Sequence, residues 1–440
     1  MASAYLERTF TAGNRKTYTI SAWVKRANFT SSFQAVVIAG AGDDGIFFDG
    51  NSRLDCYFNG GRKQTNAVYK DTSAWYHIVA AVDTTNSTAS DRIKLWVNGE
   101  QVTSFSTSTN PSADAENHFN NATKTNRIGN HTSQSYHFDG SMAHVHLVDG
   151  TAYAASDFGE TDTDTGIWKP KTSPSVTYGT NGFFLKFQNT SDYGEDSSGN
   201  DNDFTVNNTI TQTIDTPSNV FATFLPIPRI ASGSPVHPTF SNGHTTAYFD
   251  SSGYNENAIS SLAMNSGKYY WEVKCTNISS GNDGSGYVGI VDLASYDHGF
   301  IGNQCVAYRD NGQKINDNTS TSYGNTYSSG DIIGVAFDAS TGTIWFSKNG
   351  TWQNSATKSE IEAGTTTNSA YTGLSTSTDW HTLVSNYSNR YASINFGNGY
   401  FGTTAVSSAG TNAGIGTFEY DVPSGYKALC TKNINAEEYS

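Results

Sequence analysis

The chain has 440 residues; 36% are hydrophobic and only 15% charged, with 42 Gly, 25 Tyr and 24 Phe. A net charge of -14, with only 26 Lys+Arg spread along the chain, excludes nucleic acid as the expected partner, because phosphate binding needs concentrated positive charge. No apolar run is long enough for a transmembrane helix, so no membrane insertion is expected, and MASAYLERTF lacks a signal-peptide core, which argues against Sec-type export.

In chain order, strands are predicted at TYTISAWVKR, AVVIAG, GIFFDG, LDCYFNG, WYHIVAAVD, IKLWVNG, MAHVHLVDG and GFFLKFQN. Turn residues separate nearly all of them. A single helical turn is expected at AASDFGE, with Ser156 as its cap. Five of nine prolines (Pro217, Pro226, Pro228, Pro235, Pro238) then cluster, and because proline removes a donor and fixes φ, central strands are not expected there. Val220, Phe221, Phe224, Leu225 and Ile227 make this a linker packed on one domain and not a free tether. Strands resume at TAYFD, KYYWEVKCTN, GYVGIVD, CVAYRD, DIIGVAFD, GTIWFSKNG and YASINFGNG. Many short strands with regular turn signals indicate antiparallel sandwiches. The predicted organisation is all-β: a β-sandwich over 1–210, a Pro-rich linker over 211–240 and a second β-sandwich over 241–435.

One phrase occurs twice. WYHIVAAVD leads through IKLWVNG as GDIIGVAFD leads through GTIWFSKNG, each an apolar run ending on Asp, a Ser/Thr-rich gap, a second apolar run and Asn-Gly. Asn-Gly tolerates positive φ at both positions, so each phrase reads as a hairpin followed by a tight turn. Ile93, Leu95 and Val97 fall on one face and Lys94 and Trp96 on the other; Ile344 and Phe346 oppose Trp345. The outward tryptophans, Trp96 and Trp345, are expected to be exposed.

Cys56, Cys275, Cys305 and Cys430 lie far apart with no C-x-x-C pair, which reads as free thiols and gives no zinc signal. The G-x-S-x-G, H-E-x-x-H and G-x-x-x-x-G-K-[ST] motifs are absent, so seryl hydrolysis, metallohydrolysis and NTPase chemistry lose their usual signatures.

TISAWVKR, WYHIVAAVD with IKLWVNGEQV, and FDGSMAHVHLVDGTAYAASDFGE make the first half resemble the laminin-G-like, concanavalin A-like jelly-roll family. SGKYYWEVKC, GYVGIVD, YSSGDIIGVAFDASTGTIWFSKNGTW and YASINFGNGYF, with the terminal YDVPSGYKALCTKNI, make most of 240–432 resemble a SPRY domain. The arrangement from AYLERTF through SSGNDNDFTVNN is similar to minor virion proteins of tailed phages, particularly marine and cyanobacterial ones. The resemblance implies two concanavalin A-like jelly-roll sandwiches serving as binding or structural modules, since neither fold fixes chemistry.

Enzymes of the concanavalin A-like fold are mostly glycosidases that present paired acids as E-x-D-x-x-E. Glu419-Tyr420-Asp421 comes nearest, but Ser424 stands where the last acid belongs, so no catalytic residues are assigned. His144 and His146, with His137 nearby, permit a metal, although strand histidines usually serve as hydrogen-bonded side chains. Calcium, which many laminin-G-like domains bind, is a better candidate than a histidine-bound metal: Asp43, Asp44 and Asp49 cluster in AGDDGIFFDG, although a solvated acidic loop is the ordinary explanation of such a cluster. The acidic run ETDTDTG lacks EF-hand spacing. No cofactor is required by the sequence.

Sugar sites set an aromatic face beside amide and carboxylate groups. Three loops fit: Tyr254 and Asn255; Tyr308, Arg309 and Asp310; Trp380 and His381. They resemble in chain position the variable loops with which SPRY domains grip ligands. The expected function is that of a noncatalytic phage virion protein (tail fibre, spike or capsid surface), assembled in the host bacterial cytoplasm. Its expected partners are other virion proteins and host surface polysaccharide. With no coiled-coil heptads, a fibre would form a homo-oligomer through sandwich faces. The competing readings are a bacterial surface adhesin and a glycan-degrading enzyme.

Overall fold

A computed structural model describes residues 4–40, 44–226, 229–231, 234–251, 254–277, 285–294 and 305–438. The chain divides into two compact units, Met1–Gln212 and Thr213–Ser440.

In the first unit, alternating side chains from two antiparallel sheets meet in one core. Six strands run in the spatial order Phe183–Leu185, Gly140–Asp149, Thr17–Arg26, Tyr76–Asp83, Ile93–Val97, Glu100–Gln101. The facing sheet has eight, from Phe105–Thr109 at one edge through Arg53–Phe58 and Gln34–Ala39 to Tyr5–Thr9 and Thr205–Asn207 at the other. Tyr18, Ile20, Ile78, Ala80, Ile93 and Leu95 from the first sheet pack on Val37, Ile46, Phe48, Leu54 and Cys56 from the second. The strand nearest the N-terminus pairs with the last strand of its unit, Leu6 opposite Val206.

The second unit repeats the plan. One sheet orders Phe224–Pro226, Glu256–Ser260, Trp380–Asn386, Tyr287–Asp292, Cys305–Arg309, Gln313–Asn316 and Thr319–Ser322. The other orders Thr239–Ser241, Thr246–Phe249, Arg390–Asn395, Lys268–Thr276, Ile332–Asp338, Thr343–Lys348 and Thr351–Trp352, with Lys427–Ala428 added in parallel to Lys268–Thr276. Between them lie Trp271, Val273, Val288, Ile290, Val335, Phe337, Ile344 and Phe346. The unit's first and last segments meet: Ala222 N–H donates to Leu429 O and Thr431 N–H to Val220 O.

The all-β, antiparallel sandwich class expected from the sequence is the one observed. Both repeated phrases form antiparallel hairpins, Tyr76–Asp83 with Ile93–Val97 and Ile332–Asp338 with Thr343–Lys348. Asn98 and Gly99 (φ 50° and 87°) and Asn349 and Gly350 (φ 48° and 78°) turn each into a further short strand.

Two expectations are corrected: the exposure of Trp345 and Trp96, and the cap at Ser156. Trp345 does point away from the central core, but it is fully buried under the C-terminal segment, against Phe418, Val422 and Ala428. Trp96 is half-buried beneath Tyr153, Phe158 and Trp168. Alternation set their side of the sheet correctly; remote chain then covered that side. The Pro-rich stretch supplies an edge strand, Phe224–Pro226, and its Phe221, Ala222 and Phe224 enter the packing of the second unit. Pro226 ends that edge strand, a place where a missing donor costs little. At Ala155–Asp157 a 3-10 turn forms, but Ala154 is its N-cap and the Asp157 carboxylate accepts from Ala154 N–H; Ser156 lies inside the turn.

All four cysteines are free and buried. Burial pushes the Cys305 thiol up to about 12 and raises the other three.

Candidate functional site

The seven residues expected to bind a ligand do not form one site. Along the central strand Tyr287–Asp292, Tyr287 lies opposite Ser385 and Arg309, whereas Val291 and Asp292 lie opposite His381 and Trp380. Five residues of strand separate the two groups, about 17 Å.

At one end, Trp380 is only 7% exposed; its indole N–H donates to Ser375 O at 2.9 Å and its ring meets Phe337 edge-on. His381 is half-buried, with Nδ1 2.8 Å from Ser260 O, and burial lowers its pKa. At the other end, Asn255 donates from Nδ2 to Ser285 O and Ser385 Oγ, while Arg309 donates to Ser320 Oγ and lies over the Tyr287 ring. Asp310 is fully buried, accepting from Gly286 N–H, with Arg390 3.7 Å away. Tyr308 is also fully buried, packed among Tyr323, Tyr327 and Phe346, and its hydroxyl donates to Asn325 O. Tyr308 and Trp380 therefore serve the core instead of offering a face to a ligand. Tyr254, 39% exposed, is the one exposed member of the set.

Asp43 lies outside the described residues. Asp44 is buried and accepts from the backbone N–H groups of Asn59 and His118, both at 2.8 Å. Asp49 accepts from the N–H groups of Asn51 and Arg53 and from Gln64 Nε2. Both carboxylates thus hold loops together through donors that a cation would have to displace. In the acidic run, Asp162 closes a turn by accepting from Asp164 and Thr165 N–H and pairs with Lys169 at 2.7 Å. Among the described residues, no three or more His, Cys, Asp or Glu side chains are grouped to hold a metal ion.

His144 lies in the bulge that separates Ala143 from His146, with φ 47°, and it and His146 both pack on Phe184; His137 stands half-buried in the preceding segment. The histidine whose charge both of them feel or impose is His77. His77 accepts at Nδ1 from the Trp168 indole at 3.0 Å and contacts Ser21 Oγ through Nε2; His146 Nδ1 meets the Tyr178 hydroxyl at 3.0 Å. Burial is the main cause of pushing His77 down to about 3 and His144 to about 4, and it also lowers His146. These rings fasten the 150–180 segment to its sheet.

A cavity of about 350 Å³ opens on the second unit, lined by Gly350, Trp352, Lys358, Glu419, Tyr420 and Asp421, among others. Its construction is traceable residue by residue. The Asn349-Gly350 turn brings Trp352 back beside Ser347. Gly350 has φ 78°, and a Cβ there would come within 2.6 Å of the Tyr420 ring, so glycine lets that ring lie against the turn. Lys358 begins the short helix Lys358–Glu362, whose capping box joins Thr357 and Glu360. The far wall, 408–421, is pinned to the sheet by the buried Glu272, whose two oxygens accept from Glu419 N–H at 2.8 Å and Tyr420 N–H at 2.9 Å. Asn395 adds a bond from Nδ2 to Thr417 O.

The acids of this cavity are arranged for holding. Glu419 accepts from the amide and hydroxyl of Ser407. Asp421 is held below the usual carboxylate range by the Thr411 amide and hydroxyl, with Lys358 3.7 Å away. Behind the cavity wall, burial pushes Glu272 up to about 7, and it lies beneath the backbone with its oxygens already occupied. An aromatic pair, two carboxylates and one ammonium around an open cleft suit a polyhydroxylated ligand. The sequence singled out Glu419-Tyr420-Asp421 as a failed catalytic motif; it missed Trp352 and Lys358, whose signal was a tryptophan two residues beyond an Asn-Gly turn.

Residues 2–156 match the family model of the concanavalin A-like lectin/glucanases superfamily, and residues 268–367 match that of the SPRY domain. Among curated proteins nothing matches the chain. The human HERC1 SPRY domain is 21% identical, covering 34% of this chain and 87% of that one, with a TM-score of 0.27. A heptameric SAP-like pentraxin from Limulus polyphemus is 12% identical over 35% of this chain and 72% of that one, TM-score 0.26. A Bacteroides ovatus protein described as carbohydrate binding is 13% identical over 47% of this chain and 56% of that one, TM-score 0.32. The chain thus carries a concanavalin A-like domain and a SPRY domain. Domains of these two kinds point to binding.

Proposed function

We propose that the protein is a noncatalytic bacteriophage virion component, on a tail fibre, spike or the capsid surface, that holds a host surface glycan in the cavity between Trp352 and Asp421. The observation that carries the binding half is the cavity itself: Trp352 and Tyr420 beside Glu419, Asp421 and Lys358. The virion half is supported by the pairing of the two sandwiches and by the resemblance of the first to phage virion proteins. Assembly would follow in the bacterial cytoplasm, with other virion proteins as partners and sandwich faces forming a homo-oligomer.

Two measurements test it. Mass spectrometry and antibody labelling of purified virions detect the protein on the particle; its absence there overturns the virion reading. Soluble protein adsorbs to host cells, and Trp352→Ala reduces adsorption at least tenfold in a protein that still unfolds cooperatively, with a lowered midpoint from the lost packing on Tyr270. Release of reducing sugar would move a glycan-degrading enzyme ahead of this proposal.

A further inference from the structure

The outer face of the sheet that carries Trp352 has a second aromatic feature at its other edge. Ala247, Phe249, Ala392, Ile394, Val273 and Cys275 turn inward to the core, so the alternate residues Tyr248, Tyr391 and Thr276 turn outward. Tyr248 lies directly opposite Tyr391, and Tyr391 opposite Thr276, which sets the three in one row across adjacent strands. The two phenol rings stack with centroids 4.4 Å apart and planes 24° from parallel, and Tyr391 remains 40% exposed.

The rim is held as firmly as the rings. Tyr248 donates its hydroxyl to Asn389 Oδ1 at 2.6 Å, and Asn277 donates its side-chain amide to Asn389 O. Thr276 Oγ1 donates to Tyr391 O. Lys274, one step along its strand on the same face, lies over the Phe401 ring. Two ordered rings, two amide side chains and a hydroxyl, with no exposed aliphatic among them, form a surface for a polyol. A stable protein interface of standard size needs about 800 Å² per partner with an apolar centre; two partly exposed tyrosines supply little of that.

We infer that Tyr248, Tyr391 and Thr276, with Asn277 and Asn389 at the rim, form a second glycan contact, so that the ligand is a neutral polysaccharide chain and not a single terminal sugar. The polymer part of this inference rests on the glycan reading of the cavity; the contact itself does not. Four strand spacings separate Arg390–Asn395 from Thr351–Trp352 in the same sheet, about 19 Å, and the registers set Trp352 level with Asn395, four residues or about 13 Å along from Tyr391, so the two contacts lie about 23 Å apart. That distance takes several sugar units. The chain's net charge of -14 and the carboxylates of the cavity disfavour a polyanionic glycan. Two weak contacts on one chain act as a linked pair, raising affinity beyond either alone.

Affinity electrophoresis of the full chain in gels containing dextran, mannan, xylan, laminarin or hydroxyethylcellulose tests this. Wild type is retarded by at least one. Tyr391→Ala and Tyr248→Ala each weaken that retardation about tenfold, Tyr391→Phe restores it, and a disaccharide of the same sugar binds equally to wild type and Tyr391→Ala. Trp352→Ala weakens both polymer and disaccharide binding. If Tyr391→Ala and Tyr248→Ala leave retardation intact while Trp352→Ala abolishes it, the second contact is overturned and the cavity reading stands. Loss with Tyr391→Ala but not with Trp352→Ala supports the contact and removes the cavity. No retardation of wild type in any gel overturns the inference. So does light scattering that shows wild-type dimers dissociating in Tyr391→Ala, since the patch then serves self-association.

Discussion

The imidazole of His77 lies nearly parallel to the indole of Trp23, with ring centroids 4.6 Å apart and planes at 10°. A second indole, that of Trp168, donates its N–H to His77 Nδ1. A proton on Nδ1 would remove that acceptor and place a charge between two indoles. Neutral His77 is therefore part of how the first unit is closed.

Acid should open this closure. His77 and His144 titrate in the folded protein at about 3 and about 4, and His146 is lowered too, so each contributes stability that is complete above the unfolded value near 6.5. That stability is lost progressively as pH falls from about 6.5 toward 4. Calorimetry from pH 7.5 to pH 4.5 should show the transition of the first unit falling steeply below about pH 6. His77→Gln, which keeps an acceptor for Trp168, should flatten the fall. A transition that holds its midpoint to pH 4.5 would contradict this account.

Glu272 gives the second unit the opposite slope. Its folded pKa is raised, so its stabilising protonation is fully present below about 4.5 and is lost as pH rises through about 7. The difference corresponds to about 3 kcal/mol. The second transition should weaken between pH 5 and pH 8, and Glu272→Gln should remove most of that dependence. Because Glu272 anchors Glu419 and Tyr420, the same substitution should lower ligand affinity by loosening the cavity wall.

Tyr308 and Trp380 are stability residues. Tyr308→Ala should cost about 3–5 kcal/mol through the cavity it leaves among three aromatic rings, and Tyr308→Phe about 1 kcal/mol for the lost bond to Asn325. Trp380→Ala should behave like the first. Denaturant unfolding measures both, and a variant that lost adsorption at unchanged stability would return these residues to a binding role.

Calcium should leave the first unit where it is. Asp44 spends its oxygens on the N–H groups of Asn59 and His118, from two other segments, and Asp49 on those of Asn51 and Arg53 in its own turn and on Gln64, so EDTA and millimolar calcium should not shift its unfolding. Asp44→Asn should destabilise by about 1–3 kcal/mol, because one buried donor then faces an amide nitrogen. A calcium-dependent rise in melting temperature would instead assign a cation to this loop.

Local pattern made the strands and hairpins legible. Ile93, Leu95, Ile344 and Phe346 stand inward as their alternation required, and each Asn-Gly pair turns where positive φ is tolerated. What the sequence left open was the fate of the other side of each strand. Trp345 and Tyr391 both point outward; the tail covers the first and leaves the second exposed, a difference made by chain far along the sequence. The cavity was hidden for the same reason, since Trp352 and Tyr420 are neighbours only after the tail has crossed the sheet. Tyr308 and Trp380 were misplaced because aromatic residues beside polar ones describe a strand end as well as they describe a sugar site.

The meeting of first and last segments within each unit also sets an order of events on the ribosome. The N-terminal strand of the first unit, paired on one side with Thr125–Ile128, gains its other neighbour only with Thr205–Asn207, and the second unit waits for Leu429 and Thr431. Nascent chain of the first unit can seal while the second is still being made. In the second unit Tyr270 and Trp345 lack their covering until the segment from Phe418 to Cys430 has been made, and they are apolar surfaces open to chaperones until then.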